Sequence, residues 1–223
     1  KNYSFNQPIG NWDVSNVTNM SGMFSGTSFN QPIGNWDVSN VTDMSGMFQF
    51  SNYNQPIGNW DVSSVKNMRL MFDVSSFNQP IGNWDVSSVN DLRGMFANSQ
   101  FNQPIANWDV SSITSLRGLF NSSDFNQPIA DWDVSSVIDM YEMFRYADFN
   151  QPIRSWCVTN ILSEPYEFST GSPLSQENKP AWGTCPATNS QSFNESWNLV
   201  SVPVEMEDYS YSTLFPNSSE GTL

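Results

Sequence analysis

Aspartate recurs in this chain at a fixed step. Asp13, Asp37, Asp61, Asp85, Asp109 and Asp133 follow one another every 24 residues. All but Asp133 sit in the string Asn-Trp-Asp-Val-Ser. It aligns Asn35, Asp37 and Ser39 with Asn59, Asp61 and Ser63, with Asn83, Asp85 and Ser87, and with Asn107, Asp109 and Ser111. These three rows form the candidate ligand face. Carboxylate oxygens suit a hard cation, so Asp37, Asp61, Asp85 and Asp109 are candidate Ca2+ ligands, although the chain has no D-x-D-x-D-G loop. The same rows could hydrogen-bond a protein or a glycan. A local reading stands beside both: each Asp accepts the N–H of the Ser two residues on, as an Asx turn. Something must offset the charge, because carboxylates about 4.8 Å apart repel by roughly 1 kcal/mol in water.

Catalytic chemistry has little to work with. The chain has no His, which removes His-based triads and zinc sites. There is no glycine-rich phosphate loop, and the carboxylates form an array rather than a dyad in a cleft. A non-enzymatic protein without a cofactor is expected, Ca2+ being the one candidate. The 8 basic residues are outnumbered by 22 acidic ones, giving a net charge of −14. Nucleic acid and anionic membrane surfaces are therefore poor partners. No apolar run of about 18 residues supports direct membrane insertion. A basic protein, a cation or a neutral glycan fits the charge better.

The elements that carry the aspartates are repeats. FNQPIGNWDV recurs almost unchanged from Phe5, Phe29, Tyr53, Phe77, Phe101, Phe125 and Phe149. A fixed period of this length predicts a solenoid, in which stacked coils replace a single core. In the second repeat, Trp36 and Val38 alternate with Asn35, Asp37 and Ser39, the pattern of a short strand. Val41, Met44, Met47 and Phe48 then fall on one helical face, with Ser39 placed as its N-cap. The fold class expected is α/β: a right-handed, leucine-rich-repeat-like solenoid of 24-residue coils, each a short parallel strand plus a short helix. Trp12 to Trp156, Phe24 to Phe144 and Met20 to Met140 should form inward columns. Asn6/Gln7 to Asn150/Gln151 should form amide ladders that satisfy the return turn. Copies vary most on the outer helix face, at Lys66/Arg69, Asp91/Arg93, Arg117 and Asp139/Tyr141/Glu142, and in the loop at Gln49-Phe50 and Arg145-Tyr146.

The array decays at its seventh copy. Arg154, Cys157 and Pro165 replace repeat residues there. Cys157 and Cys185 are the only cysteines, and both fall where the repeat ends, which suggests one disulfide closing a terminal cap in an oxidising compartment. Two reduced, buried thiols are the alternative. Domains are expected at 1–163 for the repeats, 164–187 for the pinned cap and 188–223 for a truncated β module or linker, opened by a strand over Trp197–Val204. Lys1 lies just before the first repeat, and the chain reads as a piece of something longer. Formal glycosylation sequons, such as those at Asn16 and Asn40, are expected by chance in so Asn- and Ser-rich a chain.

The unit FNQPIxNWDVSxVxxMxxMF closely resembles the repeat of BspA-like leucine-rich-repeat surface proteins. The same repeat type occurs in mycoplasma surface lipoproteins and marine Bacteroidetes proteins. The resemblance covers residues 5 to about 162. Trp156–Pro186 looks like the terminal cap of Bacteroidetes members, and Trp197–Leu223 is similar to a segment that precedes their sorting domain. It implies export by the type IX system, display at the cell surface and adhesion to extracellular proteins. It supplies no catalytic residues to carry over, and no sorting domain is present in these residues. The expected function is an extracellular adhesion or protein-interaction module. The alternatives are a structural envelope spacer or filament component, binding copies of itself or other envelope proteins, and a calcium-dependent glycan-binding surface using the Asp column.

Overall fold

The structure is a computed structural model that describes residues 4–186. These residues fall within one compact unit, Lys1–Pro186. The strand expected over Trp197–Val204, and the whole segment 188–223, lie outside the described residues. Within them the chain forms stacked coils of 24 residues: coil 1 at 5–28, coil 2 at 29–52, and so on to coil 6 at 125–148. Coil 7 begins at 149 and merges with the cap.

The coils are joined by a row of turns rather than by helices. In coil 1, the N–H groups of Met23, Ser25 and Thr27 bond back to the carbonyls of Met20, Gly22 and Phe24. The N–H groups of Met20, Gly22, Phe24 and Gly26 instead cross to the carbonyls of Asp43, Ser45, Met47 and Gln49 in coil 2. Alternate residues therefore close a turn or bond to the next coil, which leaves few backbone donors unmet. Isolated parallel bridges mark the same row, running Asn19, Asp43, Asn67, Asp91, and again from Ser115 to Asp139.

This differs from the expected elements in two ways. No α-helix forms over Val41–Phe48; the one helical segment among the described residues is the short 3-10 turn Gln176–Asn178. Nor do Trp36 and Val38 lie in a paired strand. The bridges fall at Asp43, inside the stretch expected to be helical. The reason is a left-handed residue twice in each coil: Gly46 at φ 57° and Phe50 at φ 56° in coil 2, Leu70 at φ 56° and Val74 at φ 52° in coil 3. A right-handed helix cannot pass through such positions. The spacing of Val41, Met44, Met47 and Phe48 imitates a helix because each of these turns also closes over three residues. Ser39, expected as a helix N-cap, sits inside a turn closed by the Val41 N–H on the Val38 carbonyl.

The apolar columns lie inside. Phe48, Phe72, Phe96 and Phe120 are fully buried and stack on their counterparts 5.6–5.9 Å away in successive coils. Each also lies about one ring thickness from the aromatic that opens the next repeat, as Phe72 does from Phe77 at 4.1 Å. From Trp36 to Trp156 the tryptophans are buried, and each Nε1–H donates to an Ile carbonyl 27 residues back, as Trp84 does to Ile57 at 3.2 Å. Trp12 is the exception to the expected inward column. It is 53% exposed, because no described coil lies on its outer side. The amides form a ladder. Asn54 Oδ1 accepts both the backbone N–H of Asn78 at 2.9 Å and Gln79 Nε2 at 3.0 Å, and the pattern repeats from Asn6 to Asn126.

One ring in these columns is mismatched. Tyr53 stands where the other coils have Phe, and its buried hydroxyl meets no hydrogen-bond partner. Burial pushes its phenol well above the ordinary range. Removing that oxygen removes an unmet desolvation cost of about 1–3 kcal/mol while keeping the ring. Tyr53→Phe is therefore expected to raise the melting temperature. A variant that melts lower than the parent would show that the hydroxyl is satisfied after all.

At the far end, the N–H groups of Glu142, Phe144 and Tyr146 donate to the carbonyls of Tyr166, Phe168 and Thr170. Residues 166–171 thus repeat the turn row, with Glu167 and Gly171 left-handed. Residues 173–186 then fold back over the rest of coil 7. Cys157 and Cys185 are disulfide-bonded. Lys179 and Glu164 pair at 2.6 Å, Arg145 pairs with Glu167, and Trp182 packs edge-on against Phe168.

Candidate interaction surface

The Asn-Trp-Asp-Val-Ser string places its Trp inward and its Asp outward. Asp37, Asp61, Asp85 and Asp109 are exposed, as are Asn35, Asn59, Asn83 and Asn107. Ser39, Ser63 and Ser111 are half-buried, and Ser87 is exposed. Each Asp is engaged by its own Ser. Asp37 Oδ1 accepts the Ser39 hydroxyl at 2.6 Å and the Ser39 N–H at 3.1 Å. The same pair of bonds recurs at Asp61–Ser63, Asp85–Ser87 and Asp109–Ser111. The second carboxylate oxygen takes no hydrogen bond from the described residues. Among those residues, no group of three or more acidic, Cys or His side chains converges as a metal site. The aspartates stand in file, one to each coil.

These bonds tune the carboxyls. Donation by the Ser hydroxyl first, and by the Ser N–H second, holds Asp37, Asp85 and Asp109 below the usual carboxylate value. A carboxyl whose folded value is depressed stabilises the fold above its unfolded value of about 3.9, and that contribution is lost as pH falls through the folded value. The melting temperature is therefore expected to be flat above roughly pH 5 and to drop below about pH 4. Thermal melts across an acid series check this. A midpoint that stays constant into strong acid would mean that the Asp–Ser bonds contribute nothing.

A second file of such turns underlies the coil-to-coil bridges. Asn19, Asp43, Asn67, Asp91 and Asp139 each accept, on Oδ1, the N–H of the residue two places on. The signal in the sequence was the confinement of this position to Asn, Asp or Ser, the side chains able to make that bond. Beside it runs a basic row. Lys66, Arg69, Arg93 and Arg117 are four of the 8 basic residues, and all are exposed on coils 3–5. Arg93 grips Asp91 through both carboxylate oxygens, at 2.9 and 2.6 Å. Arg117 lies 4.2 Å over the ring of Tyr141, which stacks on Tyr166 at 5.5 Å. Phe50, Val74 and Tyr146 stand exposed at the left-handed corner of their coils.

The coils also match a known family model, described as Mycoplasma protein of unknown function, DUF285. It matches residues 1–103 and again residues 91–207. The chain belongs to the DUF285 family. The first match takes in coils 1–4, and the second takes in coils 5 and 6, coil 7 and the cap. The two matches together span the described length of this DUF285 chain, stacked coils and cap alike. No curated protein and no solved structure matches it. Among the described residues of the DUF285 chain, no helix is long and apolar enough to cross a membrane.

Proposed function

We propose that this DUF285 chain is a non-catalytic interaction module of the BspA-like type, displayed outside the cell after type IX export. Its partner is an extracellular protein or glycan, met through the rows of Asn35, Asp37 and Ser39 and their equivalents. The stack is read as a right-handed, leucine-rich-repeat-like solenoid whose coils carry turn rows in place of helices. One observation carries the proposal. Much of what repeats from coil to coil is consumed internally, by apolar columns and amide ladders, while one oxygen of each Asp and the exposed Asn beside it recur outward. That leaves a flat, regular face of acceptors rather than a cleft. Such a face suits extended contact.

A second reading is favoured by the near-identity of the coils: an envelope spacer or filament component with no soluble ligand. The calcium-dependent glycan reading is the third. One experiment separates them. The intact chain is applied to immobilised extracellular proteins and neutral glycans, with Ca2+ and with chelator. Binding that resists chelator but is lost in Asp61→Asn/Asp85→Asn supports the proposal. Binding abolished by chelator, together with stabilisation of about 2.7 kcal/mol per site at 100-fold Ca2+ excess over the dissociation constant, supports the glycan reading. No binding leaves the spacer.

A further inference from the structure

The sides of the coils differ in the sign of their charge. The chain as a whole has 22 acidic residues against 8 basic ones. The turn row of coils 3–5 inverts that balance. Its segments 66–74, 90–98 and 114–122 hold four basic residues and two acidic ones. Both acids are already engaged. Asp91 is gripped by Arg93, and Asp73 is buried between the amides of Gln49 and Asn98, at 2.8 and 3.1 Å. Lys66, Arg69 and Arg117 form no ion pair among the described residues, in a chain rich in carboxylates that could supply one.

Exposed apolar bulk gathers on the same side. In coils 2–6 the large apolar side chains left exposed are Phe50, Val74, Ile138 and Tyr146. Ile138 stands in file with Lys66, and the other three occupy one corner of the turn row. That corner is left-handed, a conformation that Gly26 supplies in coil 1. A ring or a β-branched side chain is strained there, and leaving it in water gains the fold nothing. The Asn-Asp-Ser rows of the same coils carry no exposed apolar side chain.

We infer that the turn-row side of coils 2–6 is a second docking surface, and that its partner is an extended segment of another protein, acidic and bearing apolar side chains. The unpaired cations match carboxylates, a complementarity opposite in sign to the chain as a whole. The exposed rings and aliphatics match apolar cover, and Arg and Tyr are among the side chains that anchor protein interfaces. An anionic polysaccharide would meet the charge and leave Val74 and Ile138 wet. A second copy would offer its Asp rows without apolar cover, and would set a net charge of −14 against another of −14. Length points the same way. Coils about 4.8 Å apart place Phe50 and Tyr146 roughly 19 Å apart along the stack, the reach of about six extended residues. This side varies from coil to coil where the Asn-Asp-Ser rows repeat, so it is the side able to choose one partner among many. It is separate from those rows, and either surface can bind without the other.

A random short-peptide library displayed on phage is panned against the immobilised full chain, and the selected peptides are synthesised and titrated. They are expected to join Asp or Glu to aromatic or aliphatic residues. Their affinity should fall about tenfold or more in Lys66→Gln/Arg69→Gln, which removes two exposed side chains outside every described ion pair, and likewise in Phe50→Ser/Val74→Ser. It should be unchanged in Asp61→Asn/Asp85→Asn. Circular dichroism confirms that each variant is folded. Selected peptides that lack acidic residues, or that bind the Lys66→Gln/Arg69→Gln chain as tightly as the parent, overturn the inference. A library from which nothing binds overturns it too. Heparin is the charge-only control: heparin binding that survives Phe50→Ser/Val74→Ser, with no peptide selected, makes the row a polyanion surface instead. Sedimentation in which parent chains pair, and separate in Lys66→Gln/Arg69→Gln, gives the place to a second copy and overturns the inference equally.

Discussion

Trp84→Ala is expected to destabilise the array by about 3–5 kcal/mol, the usual cost of emptying a buried aromatic site. Trp84 is 3% exposed in the middle coil, 6.5 Å from the Trp60 ring and 6.5 Å from that of Phe72. Neighbouring coils are tied on both sides by the turn rows and amide ladders, so they cannot collapse into the void. The loss is also polar: the Ile57 carbonyl gives up the indole N–H it accepts. Because a repeat array is held by nearest-neighbour contacts, the damage should stay local and divide the stack. The expected melt is broader than the parent's, with the two sides of coil 4 separating in temperature. A melting curve that matches the parent's would rule out a tryptophan column that supports the stack.

Replacing Cys157 and Cys185 with Ser is expected to remove roughly 3–4 kcal/mol from the cap, by the chain-entropy model for a closed loop with a sequence separation of 28. The effect should be confined to the end. Other ties remain across the cap, including the Lys179–Glu164 pair and the Gly183–Ile161 bond, but no covalent one. Hydrogen exchange should therefore quicken first at Ile153, Val158 and Gly183, and only later at the Asn ladder of coils 2–4. Uniform acceleration along the whole chain would contradict a stack that opens from its ends.

The period, the columns and the ladders were legible in the sequence because identical residues at a constant step can only stack on one another. Phe72 over Phe48 and Asn78 over Asn54 follow from counting. The backbone was not legible in the same way. Val41, Met44, Met47 and Phe48 carry a helical spacing, and pattern alone cannot tell a helix from successive turns that close over the same number of residues. The clue was glycine at 22, 26, 46, 94 and 118, but Phe50, Leu70 and Val74 hold the same left-handed conformation and hide it. Asp37 could be read as an Asx-turn former from its type and from the Ser that follows. The partnership of Arg117 with Tyr141 could not, because the two lie one coil apart and are variable in kind. Trp12 was read as interior by analogy with its six counterparts, yet burial depends on a neighbour that a motif does not supply.

The amide ladder also sets the currency in which this chain can change length. Asn54 Oδ1 reaches two donors belonging to the next coil, and reaches them only if the count between coils is kept. One residue lost from a coil would carry every later Asn, Trp and Phe out of register with the coil before it. Excision of residues 53–76 would do no such thing, since Asn78 would then meet Asn30 as Asn54 does now. Gain and loss of whole coils are therefore nearly silent, while a single-residue slip is not. A lineage of such chains should differ in reach by steps of one coil, with the spacing inside each coil held by hydrogen bonding.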